Sequence, residues 1–201
     1  MKNEWFEIDK EGLAKLLERK GKAFLLYELI QNAWDQDVKF VNITLTRIFG
    51  TPTCELKVVD DDPNGFMDLK HAFTLFAESN KKGDPSKRGR FNLGEKLVLA
   101  CCDSARIIST TGGFEFTKDG ERKSLRTKTE KGSEFTAILR ASHVEYKEIC
   151  NSIGKLIPPK GIKTIFNDRE IEARTPITTF KVQLPTEISD NEGILKKTTR
   201  M

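Results

Sequence analysis

The spacing of apolar residues predicts helices in the first part of the chain and mainly strands in the second. Apolar side chains recur at helical spacing over residues 10–20 and 23–37. Residues 41–48 instead alternate between apolar and polar side chains, and residues 55–60 form a second apolar segment that runs into an acidic turn. Both are predicted strands, and Gly50 marks the turn between them.

Helices and a long loop separate these strands from the rest of the predicted sheet. The pattern predicts helices over 67–78 and 94–102, joined by a loop over 79–90 that has no apolar periodicity. A further helix is predicted over 142–157, before Pro158. The remaining predicted elements are strands at 104–110, 113–117, 122–127, 133–140, 162–166, 169–173 and 177–184. This order predicts an α+β fold, a two-layer sandwich with helices on one face of a mixed, mostly antiparallel sheet.

Composition indicates a globular domain and excludes several other classes of protein. The chain has 201 residues, and 37% of them are hydrophobic, which is too much for a disordered chain. No apolar run approaches the roughly 20 residues of a membrane helix, and the N-terminal segment lacks the apolar core of a signal peptide. We therefore expect a cytoplasmic protein without a membrane partner.

Neither the charge nor the cysteines identify a partner on their own. The formal net charge is only +4, although cations dominate residues 79–90. The four cysteines are scattered, and none belongs to the C-x-x-C pair that is typical of zinc sites. The sequence thus predicts neither a disulfide framework nor a zinc site.

A line of polar residues on the helix predicted over 23–37 has the side chains of a magnesium–phosphate site. Glu28, Asn32 and Asp35 are spaced i, i+4 and i+7, so at about 100° per residue they project from nearly one side of the helix. An amide oxygen can ligate a hard cation, and a carboxylate one turn away can orient a water molecule for attack. A solvated polar helix face is the alternative interpretation.

The acidic turn at residues 60–65 is a second candidate site. A carboxylate held at the end of a strand can accept a hydrogen bond from an exocyclic amine, and Gly65 lets the backbone pass close to a flat ring. Phe66 and Met67 follow the turn directly. An ordinary surface turn is the alternative, since Asp, Pro, Asn and Gly all favour turns.

Two glycines precede or open the helix predicted over 94–102. Gly89 and Gly94 flank the segment 90–93, and glycines before a helix bring backbone N–H groups and the positive end of the helix dipole to an anion. A long loop rather than a strand precedes Gly89, which excludes the dinucleotide-binding fingerprint of Rossmann folds.

Taken in order, the three motifs resemble those of the GHKL ATPases, the superfamily of gyrase, the ninety-kilodalton heat-shock chaperone, histidine kinases and MutL. YELIQNAWD resembles the E-x-x-x-N-A-x-D box, VVDDDPNGF the D-x-G-x-G box, and GRFNLGEKLVLACCD the glycine box of the phosphate loop. Gly132 and Ser133 lie where the family has a Gly-Thr strand motif. The resemblance covers about residues 10–158 and implies the family's Bergerat fold, with an ATP lid at about 77–90.

The resemblance also implies a role for each matching residue. Glu28 matches the general base that activates the hydrolytic water, and Asn32 matches the magnesium ligand. Asp61 matches the aspartate that binds the adenine amino group, although three consecutive aspartates, Asp60–Asp62, leave this register open by one residue. The other implied nucleotide-binding residues are Asp35, Gly65, Met67, Gly89, Arg90, Phe91, Asn92, Leu93, Gly94, Lys96 and Ser133.

The implied function is the binding of Mg²⁺ and ATP under a mobile lid, with slow hydrolysis coupled to closure or dimerisation. We expect the nucleotide-binding domain at residues 1–158. Residues 159–201 are too few for the second domain that follows it in gyrase, so we expect an extension or the start of a truncated domain there. ATP and ADP are the expected ligands and a homodimer the expected assembly, while a protein client or DNA stays open as a partner.

Two other functions stay open on the sequence alone. A degenerate GHKL domain would bind nucleotide or DNA without turnover, and it is favoured by Pro63 and Asn92, which replace glycines of the family boxes. A histidine-kinase-type catalytic domain is the other alternative. Against it, neither His71 nor His143 lies in a convincing dimerisation helix.

Overall fold

The computed structural model describes two long stretches of the chain and several short ones. The described residues are 12–15, 19, 21–66, 69, 98–175, 177–178, 180–189 and 194–200. Two complete helices lie within these ranges, α1 (Lys22–Trp34) and α2 (His143–Ile153). The strands within them are β1 (Phe40–Arg47), β2 (Thr53–Asp60), β3 (Cys102–Ser109), β4 (Gly112–Phe116), β5 (Arg122–Leu125), β6 (Ser133–Arg140), β7 (Lys163–Phe166), β8 (Arg169–Glu170), β9 (Leu184–Ser189) and β10 (Leu195–Arg200).

Eight of these strands form one sheet in the order β5-β4-β3-β6-β2-β1-β7-β8, while β9 and β10 form a separate hairpin. The pairing is antiparallel throughout, except between β1 and β7. α1 packs on β1 and β2 and also contacts α2. The predicted α+β class, with helices on one face of a mixed, mostly antiparallel sheet, is confirmed. No helix within the described ranges is long and apolar enough to cross a membrane.

The core lies between this sheet and the helices because every second side chain of the central strands is apolar. On β1 the buried residues are Val41, Ile43 and Leu45, and the residues between them are polar. The buried residues on the neighbouring strands β2, β3 and β6 are Cys54, Leu56, Val58, Cys102, Ala105, Ile107, Ile108, Ser109, Phe135, Ala137 and Leu139. Most of them lie beside one another across adjacent strands and extend the rows of buried side chains that start on β1. Each large aliphatic side chain buried in this way stabilises the fold by about 1.5–3 kcal/mol.

α1 buries the apolar stripe that its sequence predicts. Its buried residues are Leu25, Leu26, Leu29, Ile30, Ala33 and Trp34. The helix ends three residues before its predicted end, at Trp34, whose indole Nε1 donates a hydrogen bond to Thr164 Oγ1 at 3.0 Å. The chain then turns so that Val38 is buried before β1 begins. The end of the helix is therefore fixed by tertiary contacts, which helical periodicity does not reveal.

A capping box starts α2 and also connects it to α1. Ser142 Oγ accepts a hydrogen bond from the Glu145 N–H, and the Glu145 carboxylate accepts one from the Ser142 N–H at 2.8 Å. Lys22 Nζ, at the start of α1, lies 2.8 Å from Glu145 Oε1. The hydrogen bonds from Lys22 and Ser142 lower the pKa of Glu145 to about 2.

Replacing Glu145 by glutamine is expected to lower the free energy of unfolding at pH 7 by about 0.5–1 kcal/mol, as for other exposed ion pairs and caps. Because its folded-state pKa lies below the unfolded value of about 4.3, the carboxylate stabilises the fold above that pH and loses this contribution as the pH falls toward 2. Urea denaturation of both proteins across this pH range measures the difference. A difference that does not change with pH would contradict the role of the charge.

The β7–β8 hairpin completes one side of the sheet. Asn167 and Asp168 form its turn, with φ values of 46° and 64°, a region that Asn and Asp adopt more readily than most residues. The Asn167 side chain then bonds to the edge of β1. Its Oδ1 accepts from Leu45 N at 2.8 Å, and its Nδ2 donates to Leu45 O at 3.2 Å.

Most predicted elements within the described residues are confirmed, but the C-terminal part differs. The sequence predicts one strand over 177–184, whereas the structure has the hairpin of β9 and β10. Most of the described side chains of this hairpin are exposed. A strand without a buried face lacks the alternation that fixes its position in a sequence. β7 and β8 belong to the large sheet although they follow the predicted domain boundary at residue 158, and that boundary stays a prediction.

The helix predicted over 67–78 and the loop predicted over 79–90 lie almost entirely outside the described residues. Only residues 12–15 and 19 of the first predicted helix are described, and 12–15 are helical. Residues 98–100 are helical as well, and Cys102 already starts β3, so the helix predicted over 94–102 ends before its predicted boundary.

Candidate functional site

Three polar side chains interrupt the apolar face of the sheet at one end of the central strands. Asp60 is the last residue of β2, Ser133 the first of β6 and Ser109 the last of β3. Ser109 pairs with Ser133, and Asp60 lies beside Ser133 in the next pair of strands. Each lies two positions from a buried apolar residue of its own strand, and residues two apart share a face. These three residues, the polar row, therefore lie on the helix-covered face.

Asp60 and Ser133 are joined directly. Ser133 Oγ donates to Asp60 Oδ2 at 2.6 Å, and the N–H groups of Ser133 and Asp62 donate to Oδ1 at 3.2 and 3.1 Å. A carboxylate oxygen can accept two hydrogen bonds, so Oδ2 can accept another donor. Burial raises the pKa of Asp60, and the bonds from Ser133 and Asp62 offset only part of this effect.

Ser109 is fully buried and fixes the segment that follows β2. Its Oγ accepts a hydrogen bond from Phe66 N at 2.6 Å. The next two residues hold the same segment, since Thr110 Oγ1 donates to Asn64 O and Thr111 Oγ1 donates to Phe66 O, both at 2.7 Å. The acidic turn is therefore held against the β3–β4 turn, next to the polar row.

Gly132 and Gly65 occupy places where a side chain would collide with the site. Gly132 has a φ of 70°, and a Cβ there would overlap the carbonyl group of Asp60. Gly65 has a φ of 56°, and a Cβ there would overlap Ser109 Oγ. Both the backbone conformation and the close approach require glycine. Together they let the ends of β2 and β6 and the acidic turn come close to one another.

Asp61 bonds to the start of β1 instead of the polar row. Its Oδ1 accepts hydrogen bonds from the N–H groups of Lys39 and Phe40, both at 2.9 Å, and Lys131 Nζ lies 3.6 Å from Oδ2. Burial raises the pKa of Asp61, but the bonds from these three residues outweigh it, so the pKa lies below its ordinary value. The aspartate that Ser133 contacts is therefore not Asp61.

Asp62 is buried and shapes the turn from within. Its Oδ1 accepts from Asn64 N at 2.9 Å. Its carbonyl oxygen accepts from Gly65 N at 3.1 Å and from Gly132 N at 2.8 Å. The turn is thus closed by its own backbone and tied to the residue that precedes β6.

Glu28 and Asn32 lie on α1, and Asp35 directly follows its last residue. All three are half-buried, whereas the apolar stripe of the helix is fully buried. At about 100° per residue, the three positions lie within roughly 60° of arc at the margin of that stripe. α1 packs on β2, the strand that ends at Asp60. The chemical roles of the three residues stay predictions.

Eight predicted site residues lie outside the described residues, and so do all residues of the predicted lid at about 77–90. The eight are Met67, Gly89, Arg90, Phe91, Asn92, Leu93, Gly94 and Lys96. Their roles stay predictions as well. Within the described ranges, no group of three or more His, Cys, Asp or Glu side chains has an arrangement that could hold a metal ion.

The structure adds site residues that the sequence does not reveal. Ser109, Thr110 and Thr111 hold the acidic turn, and the register of β3 against β6 is what brings them there. That register is a property of strand pairing, and no short motif around Ser109 indicates it.

Comparison with known proteins supports the fold assignment. No protein-family model matches the chain, and no curated protein matches it in sequence. Two crystal structures of the ATPase region of Saccharomyces cerevisiae topoisomerase II are similar to it, one of them bound to ICRF-187 (dexrazoxane). Both are 14% identical to this chain, with TM-scores of 0.51 and 0.53, and the likeness covers 75% and 76% of the chain.

The chain spans about half the length of these structures, since the likeness covers 48% and 49% of them. At this identity the likeness concerns the fold. The chain shares its α+β sandwich fold with this ATPase region, and the predicted fold class is confirmed.

Proposed function

We propose that this chain is a GHKL-type nucleotide-binding domain and that the base of an adenine nucleotide binds at the polar row. The observation that carries the proposal is the bonded pair of Asp60 and Ser133. Asp60 is a half-buried carboxylate with remaining acceptor capacity, and the pair lies at the ends of two adjacent strands. Gly65 and Gly132 next to this pair bring backbone close to it without side chains. The fold shared with the topoisomerase II ATPase region supports the same function.

Asp60, rather than Asp61, is the proposed acceptor for the exocyclic amine of adenine. Three hydrogen bonds from Ser133 and Asp62 hold the Asp60 carboxylate in one orientation. Its Oδ2 would then accept a hydrogen bond from the amine. A hydrogen bond to a charged group contributes about 1.5–3 kcal/mol. Asp61 already uses Oδ1 for two backbone N–H groups of β1.

α1 is proposed to contribute the residues that face the phosphates. Glu28 would accept a proton from the attacking water, and Asn32 would ligate Mg²⁺ through its amide oxygen, with Asp35 beside the nucleotide. Since the described residues contain no three-residue cluster for a metal ion, Mg²⁺ would depend on phosphate oxygens for further ligands, which is common for this ion. When bound, Mg²⁺ would neutralise phosphate charge. Gly89–Gly94 and Lys96 are proposed to form the phosphate loop. Met67, two residues after Gly65, is a further proposed nucleotide-binding residue.

Slow hydrolysis and closure of the lid at about 77–90 complete the proposal. ATP has a γ-phosphate that ADP lacks, and only contacts that differ between two ligands can shift a conformational equilibrium. We therefore expect ATP rather than ADP to favour the closed lid and a homodimer. A protein client or DNA as a further partner is compatible with this scheme.

Calorimetric titration with Mg-ATP and Mg-ADP tests the proposal. Asp60→Asn is expected to lower affinity about 10–150-fold, because the asparagine amide presents a donor to an amine that also donates. The substitution keeps the shape of the side chain and removes a half-buried charge, so the fold should persist. Asp61→Asn keeps an acceptor for Lys39 and Phe40 and should change affinity less than about threefold.

Two results would decide against these assignments. Equal losses in Asp60→Asn and Asp61→Asn would contradict the choice of Asp60 as the acceptor. The absence of binding by the wild-type protein at millimolar nucleotide would overturn the proposed function and favour a degenerate module that binds DNA without turnover.

A further inference from the structure

Three segments meet at the end of the sheet that carries the polar row. Residues 35–39 connect α1 to β1, residues 61–66 follow β2, and residues 126–132 lead into β6. Because β2 lies between β1 and β6, the turn after β2 has a neighbouring segment on each side. The contacts to both neighbours determine where this turn lies, and with it Asp60.

On the β6 side, backbone groups hold the turn. Gly132 N donates to Asp62 O at 2.8 Å, and the Ser133 N–H and hydroxyl both donate to Asp60. Gly132 also packs so closely against the Asp60 carbonyl that a Cβ would not fit there. These contacts join the turn to β6, and none of them uses the Asp61 side chain.

On the β1 side, the Asp61 carboxylate makes the connection. Asp60 and Val41 form the last pair of the β1–β2 ladder. One residue further, Asp61 Oδ1 accepts hydrogen bonds from Lys39 N and Phe40 N, both at 2.9 Å. The side chain thus continues the pairing where the two backbones separate, and it holds the segment that comes from α1.

The two backbone N–H groups account for most of this attachment. Hydrogen bonds to a carboxylate are charge-assisted and roughly twice as strong as neutral ones. Lys131 Nζ is 3.6 Å from Oδ2 and its side chain is 67% exposed, and such ion pairs contribute little. An acceptor oxygen for these two N–H groups is therefore the main requirement, and the negative charge strengthens the bonds that it accepts.

We infer that Asp61 is a positioning residue, which orients Asp60 for the base and fixes the segment leading from α1 relative to it. Asp61 acts through Asp60 and makes no contact with the nucleotide. Its effect on nucleotide binding rests on the proposed function, whereas its effect on Asp60 does not. The residue also ties the helix of Glu28 and Asn32 to the turn that would read the base.

A comparison of three variants by calorimetry with Mg-ATP tests this inference. Asp61→Ala is expected to weaken binding about tenfold or more, while Asp61→Asn, which keeps the acceptor oxygen, stays within about threefold of the wild type. Asp103→Ala is the matched control, because it removes a carboxylate that pairs with Arg140 at the opposite end of β3. It should leave the affinity unchanged. Equal losses in Asp61→Ala and Asp61→Asn would overturn the inference.

A second measurement is independent of nucleotide. The amide of Ser133 donates to Asp60, so its ¹H–¹⁵N signal is expected to shift in Asp61→Ala but not in Asp61→Asn or Asp103→Ala. If Asp61→Ala does not fold, Asp61→Ser replaces it, because a shorter hydroxyl does not reach both N–H groups at once. A Ser133 signal that does not move would overturn the inference even if ATP binds. The expected shift in a protein that binds no ATP would overturn only the proposed function.

Discussion

Replacing Glu28 by glutamine is expected to lower kcat for ATP hydrolysis about 10²–10⁴-fold, which is the contribution of a positioned general base. Glutamine has nearly the same shape but takes no proton from the attacking water. Binding of Mg-ATP should therefore stay within about threefold of the wild type, since the loss occurs only in the transition state. Phosphate release under saturating ATP and calorimetry on the same preparation measure the two quantities.

Glu148→Gln is the matched control for this experiment. Glu148 is an exposed glutamate on α2, and its replacement should change neither hydrolysis nor binding. Hydrolysis by Glu28→Gln at the wild-type rate would exclude Glu28 as the base. A fall in affinity as large as the fall in kcat would indicate a role in holding the nucleotide instead.

Gly132→Ala is expected to destabilise the fold by about 2–5 kcal/mol and to lower nucleotide affinity at least tenfold. A φ of 70° costs an alanine about 1–2 kcal/mol, and forcing a Cβ into packed backbone adds about 1–3 kcal/mol. The atom that must move is the carbonyl of Asp60, so the strain falls on the residue proposed to bind the base. Urea denaturation gives the stability, and titration with Mg-ATP gives the affinity.

Gly120→Ala separates the two causes of this destabilisation. Gly120 has a φ of 84° in the β4–β5 turn, and a Cβ there would meet nothing within 4 Å. Its replacement should cost only the conformational part, about 1–2 kcal/mol, and should leave nucleotide binding intact. The same cost at both positions would show that the close approach to Asp60 is not what requires glycine at residue 132.

The sequence predicts the helices and strands that bury one face, because burial makes apolar residues recur at a regular spacing. The strands at 41–48 and 133–140 alternate because one of their faces lies under the helices, and the structure places them within one residue of their predicted ends. α1 ends early because Trp34 bonds to Thr164, a partner 130 residues away. In the hairpin of β9 and β10 most of the described side chains are exposed, so burial imposes no alternation of apolar and polar residues on the sequence there.

The sequence predicts the residue types of the candidate site but not which of several adjacent residues contacts each partner. Three consecutive aspartates are equivalent as a sequence pattern, and only the pairing of β2 with β6 brings Asp60 to Ser133 while Asp61 reaches β1. Ser109 gives no signal of its own because Ser133, its pair on β6, and Phe66, whose N–H donates to it, lie far away in the chain. The motif does include Gly132, but the steric reason for the glycine is visible only in three dimensions.

Asn167 has a consequence for the behaviour of the protein at high concentration. β7 covers β1 only from Phe40 to Ile43, and further along β1 the amide of Asn167 bonds to both the N–H and the carbonyl of Leu45. Free backbone groups on a strand edge are a template for pairing with another molecule and for aggregation. Because one side chain occupies both groups at Leu45, this part of the edge does not offer that template. The hairpin turn therefore protects the sheet from intermolecular association where β7 ends.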